Sequence, residues 1–330
     1  MRALCQCEPV HEGSRRAIVA AILANLGIAV SKFVGFAITG SASLLAEAIH
    51  SLADTGNQAL LFLGGVRAKR AATPDHPFGY GRERFFWAFV VSVVLFTLGG
   101  AFALYEGIDK LRHPHELSNF GVALVILFVS VVLEALSFRT ARREANVERP
   151  KGVSWAAFIR RTKNPELPVV LLEDSGALIG LFFALVGISL AKATGNPRWD
   201  AAGSIAIGLL LIVISIVLAI EMKGLLIGEA ASQTKQLAIA DAIKEAPEVL
   251  GIIHMKTEHI GPDELLVGVK VGFASSLSVR ELADAINGVE QRVRTVVPEA
   301  RVIYIEPDVL RDVDEFPEID VPRGVDEALP

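Results

Sequence analysis

The chain has 330 residues, of which 52% are hydrophobic, with a mean hydropathy of +0.46 and a formal net charge of −5. That is too apolar for a soluble globule of this size and calls for several membrane spans. Cys5 and Cys7 are too few for a disulfide framework, and a lone C-x-C pair is a weak metal signal.

Residues 1–16 form a short basic segment before the first apolar run. That run has full spanning length and no small-residue cleavage site, so a removable signal peptide is not expected. Six runs are long enough to cross about 30 Å of hydrocarbon. They lie near 17–39, 42–66, 85–108, 119–138, 169–191 and 200–221. Thr39-Gly40-Ser41 joins the first two as a tight hairpin, and Pro74, Pro77, Gly79 and Gly81 mark turns in the 67–84 loop. The loop expected over 139–168 is long and basic, which suits orientation and contact with anionic lipid. Sixteen Lys and Arg residues in the N-terminal segment and the 67–84 and 139–168 loops face four in the opposite loops. By the positive-inside rule both termini are cytoplasmic, here of a bacterial inner membrane.

Residues 229–330 carry 10 basic against 20 acidic residues, which argues against a nucleic-acid partner. Their pattern is αββαβ. A helix over 232–246 places Leu237, Ile239 and Ile243 on a core, and strands 252–259 and 264–273 flank Gly261-Pro262-Asp263. Ser278 and Glu281 form a capping box before a helix bearing Leu282, Ile286, Val289, Val293 and Val296, and 301–305 is the last strand. The expected fold class is thus a polytopic α-helical membrane protein: six helices over 17–228, a ferredoxin-like domain over 229–310 and a disordered acidic tail over 311–330. So small a layered domain gains from dimerising, which predicts a homodimer.

The chemistry sits in two polar interruptions. In the second span Glu47, His50, Asp54, Asn57 and Leu61 step by three or four residues and share a face. Asn, Ser and other neutral groups suit a helix–helix hydrogen-bond seam. An Asp beside a His suits one poorly, because charge at membrane depth costs about 3 kcal/mol or more. Imidazole and carboxylate together outline a divalent transition-metal site. In the fifth span Glu173 and Asp174 are adjacent, about 100° apart on the helix. Only one can point straight at a partner helix. Asp174 is the expected one, with Glu173 as an adjustable ligand or supporting group. Asn25 and Asp200 are further polar candidates, and Lys32, Glu106 and Glu134 suit snorkelling or ion-paired structural roles.

Leu44-Leu45-Ala46-Glu47-Ala48-Ile49-His50-Ser51-Leu52-Ala53-Asp54, preceded by Thr39-Gly40-Ser41, resembles the second-span signature of the cation diffusion facilitator family. Pro77-Phe78-Gly79-Tyr80-Gly81-Arg82-Glu83-Arg84 resembles the family's next loop, and Glu173-Asp174-Ser175-Gly176-Ala177-Leu178-Ile179-Gly180 its fifth span. The resemblance covers about residues 15–310 and implies metal–proton antiport by a homodimer with alternating access, with no enzymatic reaction and no prosthetic group. His50, Asp54 and Asp174 match the family's central ligands. The fourth falls at Val170, so Glu173 or water completes the coordination. The pattern looks most like the zinc and iron/zinc branches, with Zn²⁺ as cargo and Fe²⁺ or Mn²⁺ as alternatives, and H⁺ as counter-ion. The family's loop site falls on Thr73, His76 and Tyr80, where Asp75 could substitute. Its cytosolic site retains only His254 and Glu306, with His259 nearby, so metal-free dimerisation is expected there. A membrane hydrolase is the runner-up, but no His-Glu-x-x-His pair is present to hold a catalytic zinc. A non-transporting metal-binding scaffold is the other alternative.

Overall fold

The computed structural model describes residues 12–114 and 118–309, with side chains from residue 25 onward. The N-terminal Cys pair and the acidic tail lie outside the described residues. Among those described, six long helices run Glu12–Thr39 (α1), Ala42–Ala68 (α2), Glu83–Arg112, Phe120–Glu148 (α5), Glu166–Thr194 (α7) and Arg198–Ile227 (α8). Glu83–Arg112 comprises α3 (Glu83–Val94), a π-helical stretch Leu95–Ala101 and α4 (Phe102–Arg112). It and α5, α7 and α8 are long and apolar enough to cross a membrane. The polar stripe dilutes α2, although its 27 residues reach about 40 Å at 1.5 Å each.

The chain folds into two compact units. Of the described residues, the first holds 12–63, 87–114, 118–155 and 166–220. Within it α1 turns into α2 at Gly40, whose φ of +67° is a left-handed value that glycine adopts without strain. Asp200, fully buried in the first turn of α8, binds the start of α2. Its carboxylate accepts from Ser41 Oγ at 2.7 Å, from the Ala42 N–H at 2.7 Å and from the Ser43 N–H at 3.3 Å. It thus satisfies donors that a helix N-terminus otherwise leaves open, and it serves as a cap rather than joining the polar stripe.

The expected 139–168 loop is mostly helical. α5 continues through its basic stretch to Glu148, and α6 spans Trp155–Arg161. The Arg149 guanidinium lies 4.3 Å from the centre of the Trp155 ring. Good helix formers carry α5 past the hydrocarbon limit that apolarity alone marked, and it ends at Arg149, whose backbone is extended.

Of the described residues, the second unit holds 64–86, 156–165 and 221–309. Its sheet has the order β1 (Val249–Gly261), β2 (Glu264–Phe273), β3 (Ala300–Val309), with β1 antiparallel and β3 parallel to the central β2. α9 (Gln233–Lys244) and α10 (Val279–Val296) complete the ferredoxin-like αββαβ layer. The Ser278–Glu281 capping box is formed in both directions. Ile239, Ile243, Val267, Val271, Val289 and Val293 are buried in one core. Leu237 departs from the expected pattern and is 48% exposed. It lies two residues from Ile239, about 200° around the helix.

Candidate metal site

α2 presents His50, Asp54, Asn57 and Gln58, α7 presents Val170, Glu173 and Asp174, and α5 presents Glu134 and Ser137. Asn25 and Ile28 of α1 and Ser51 of α2 join Asp54, Gln58, Glu134, Val170, Glu173 and Asp174 in the wall of one narrow cavity. The three carboxylates that the sequence marked on the second and fifth spans therefore share one space. Val170, the position at which the motif resemblance implies a fourth ligand, lines that space and offers it no donor atom.

Each group has a defined neighbour. His50 is fully buried, and its Nδ1 stands 3.5 Å from Asp54 Oδ1, one helical turn on. Neither ring nitrogen of His50 has a hydrogen-bond partner, and Asp54 Oδ1 also lacks one. Buried polar atoms without partners are costly and rare in folded proteins, so these three mark a place suited to a ligand. His50 itself borders Asp54 rather than the cavity wall. Its Nδ1 lies 3.9 Å from where a Cβ on Gly99 would be, in the π-helical stretch. π-helical insertions of this kind concentrate at functional sites.

Glu173 accepts a hydrogen bond from Asn57 Nδ2 at 2.6 Å, and Asp174 accepts one from Ser137 Oγ at 3.0 Å. The expectation was that only one of the two, Asp174, points straight at a partner helix. Each instead meets a different one, Glu173 α2 and Asp174 α5, because adjacent residues diverge by about 100°. Both still reach the cavity.

Beside it lies a buried charge network. Lys32 Nζ donates to Glu47 Oε2 at 3.0 Å and to Ser51 Oγ at 2.7 Å, and stands 3.7 Å from Glu134 Oε1. Glu47 is therefore occupied by an ammonium group, not by the cavity. Ser51 and Gln58 were not singled out from the sequence. They lie three before and four after Asp54, a helical spacing that would have found them. Ser137 sits in an apolar run with no such signal.

Among the described residues, no three of His, Cys, Asp and Glu stand together closely enough to hold a metal ion as they are placed. The sequence-marked secondary positions are also dispersed. Asp75 and His76 are exposed, and the His76 ring stacks on Tyr80 at 4.5 Å between centroids. His254 and Glu306 lie on β1 and β3, each in register with Lys270 on the intervening β2. Lys270 Nζ pairs with Glu306 and with Asp308, each at 3.0 Å. An ammonium group thus stands where a shared metal would have to sit. His259 is buried, with Nδ1 unpartnered. Burial, and then the Lys163 and Lys235 ammonium groups, push its imidazole down to about 4.

Comparison with known proteins bears on the family of the chain. Residues 18–227 match the cation efflux transmembrane domain. A mitochondrial proton-coupled zinc antiporter of Xenopus laevis is 30% identical over 299 residues, covering 90% of this chain and 53% of that protein. Metal tolerance protein C4 of Arabidopsis thaliana is 30% identical over 268 residues, covering 81% of this chain and 59% of the relative. The chain spans about half the length of these curated relatives. A solved C-terminal domain of the magnetosome protein MamM, 16% identical, aligns with 24% of this chain and all of that domain, with a TM-score of 0.23. A match over residues 18–227, together with the apolar helices, makes the chain an integral membrane protein of the cation efflux family, the cation diffusion facilitators that its motifs resemble.

Proposed function

We propose that this chain is a secondary transporter that exports Zn²⁺ from the cytoplasm in exchange for protons by alternating access. The observation that carries this reading is the single cavity at membrane depth shared by Asp54, Glu173 and Asp174, with the unpartnered imidazole of His50 beside Asp54. Carboxylates gathered in a low-dielectric space repel one another, and a divalent cation offsets that repulsion. Protons offset it too, since ligands must be deprotonated to hold metal. One site titrated by two competing ligands couples their fluxes, provided it opens to each side in turn. The names of the Xenopus and Arabidopsis relatives, a zinc antiporter and a metal tolerance protein, support this reading. The protein works as a homodimer in a bacterial inner membrane with both termini cytoplasmic. Residues 17–228 form the transport domain and 229–310 the dimerisation domain.

One observation favours a second cargo. The cavity wall supplies oxygen and amide donors, whereas His50 stands behind Asp54. Oxygen-rich sites suit Mn²⁺ and Fe²⁺, while raw affinity favours Zn²⁺ over both. Purified protein in sealed proteoliposomes, challenged with Zn²⁺, Fe²⁺ and Mn²⁺ in competition, distinguishes them. Zn²⁺ uptake that resists excess Mn²⁺ supports the first reading, and suppression by Mn²⁺ supports the second. Absence of metal flux with any of the three leaves a metal-binding scaffold.

A further inference from the structure

From the cavity's walls we infer that Glu134 of α5 is a further cation ligand of the transport site, held in position by Lys32. The inference rests on the transport reading above. It begins from the deficit at Val170, which faces the cavity without a donor atom. A carboxylate outside the α2 and α7 set fills the same wall: Glu134, buried to 8% exposure. Lys32 stands 3.7 Å from it, an ion pair without a hydrogen bond. Lys32 gives its short bonds to Glu47 and Ser51 instead. Glu134 is thus kept at membrane depth by a nearby positive charge while its oxygens stay available.

The buried, unpartnered Oδ1 of Asp54, in the same wall, points independently to a ligand at this place. Lys32 belongs to α1, Glu47 and Ser51 to α2, and Glu134 to α5. One ammonium group therefore joins three helices and fixes how far α5 stands from the carboxylates of α2 and α7. Glu134 binds cargo, and Lys32 is a positioning residue that touches none.

The test uses the full chain in proteoliposomes, with initial rates over a range of Zn²⁺ and of Mn²⁺. Glu134→Gln keeps the shape of the side chain and leaves the Lys32–Glu47 pair intact, so the fold should survive. The expected result is a KM for Zn²⁺ raised about tenfold with maximal rate little changed, as losses at a metal site commonly run. The KM for Mn²⁺ should rise further, because the harder ion depends more on carboxylate oxygen. Glu134→Asp keeps the charge and should recover most of the affinity. An unchanged Zn²⁺ KM in Glu134→Gln would overturn the proposal. So would equal impairment of the Gln and Asp variants, whether in transport or in monodisperse yield, since that is the mark of a structural role. Asp54→Asn, run in parallel, tests the underlying reading: full transport in that variant removes the central site, whatever Glu134 does.

Discussion

Asn57 of α2 donates a 2.6 Å hydrogen bond to Glu173 of α7, while the next residue, Asp174, turns away to Ser137 of α5. Two adjacent carboxylates are thereby committed to different helices. The amide holds one of the two oxygens of Glu173 and orients the carboxylate towards α2. Asp174 is held by one hydroxyl, which can rotate. We expect Glu173→Gln to weaken apparent Zn²⁺ affinity by about tenfold without abolishing transport. Asp174→Asn should abolish it. Transport assays that show the reverse ranking would make Glu173 the indispensable ligand.

Part of this site was legible in the sequence because helical spacing is rigid. His50 and Asp54 at i and i+4 had to share a face, and they do. The direction of Glu173 and Asp174 was not legible. A pair of adjacent residues fixes an angle between side chains but not the rotation of the helix against its neighbours. The same limit applied to Asp200, whose role depends on the packing of α8 against the start of α2. The soluble layer was read almost complete, because its capping box, turn and alternating strands are local signals. The helical continuation of α5 was missed, since hydropathy reports where apolarity ends and not where hydrogen bonding ends.

Asp200→Ala should cost about 3 kcal/mol, combining a lost helix cap with buried donors left unpaired at Ser41, Ala42 and Ser43. Asp200→Asn, which keeps one acceptor oxygen, should lose less. Thermal unfolding of the purified protein in detergent gives the order. Equal stability of Asp200→Ala and wild type would show that the cap is dispensable.

Close backbone packing sets a second contrast. A Cβ at Gly208 of α8 would lie 2.6 Å from the Leu104 backbone nitrogen and 2.9 Å from the Gly100 carbonyl oxygen. At Gly65 of α2 nothing lies within 4 Å. Gly208→Ala should therefore destabilise by about 2 kcal/mol through overpacking. Gly65→Ala should stabilise by about 0.5–1 kcal/mol through helix propensity. Opposite shifts in unfolding temperature are expected, and shifts of one sign would contradict the packing.

His259 makes the second unit sensitive to acid. Its imidazole is pushed down to about 4 by burial and then by Lys163 and Lys235, while its bond to Gly261 and the charge of Glu229 oppose the shift. The unfolded chain then binds the proton more readily than the folded one. The stability from keeping His259 neutral is complete above the ordinary histidine value near 6.5, and it is lost as pH falls towards 4. The full loss is on the order of 3 kcal/mol for a shift of this size. Thermal unfolding of wild type between pH 7 and 5 should fall more steeply than that of His259→Asn. Parallel profiles would place the acid sensitivity elsewhere.

The central claim is that α2 carries the exchange site, and simultaneous recording of Zn²⁺ and proton flux in proteoliposomes tests it most directly. In wild type an imposed Zn²⁺ gradient should drive an opposing proton movement. His50→Ala and Asp54→Ala should abolish both fluxes while eluting as folded, monodisperse protein. Zn²⁺-driven proton movement at the wild-type rate in either variant would contradict the account.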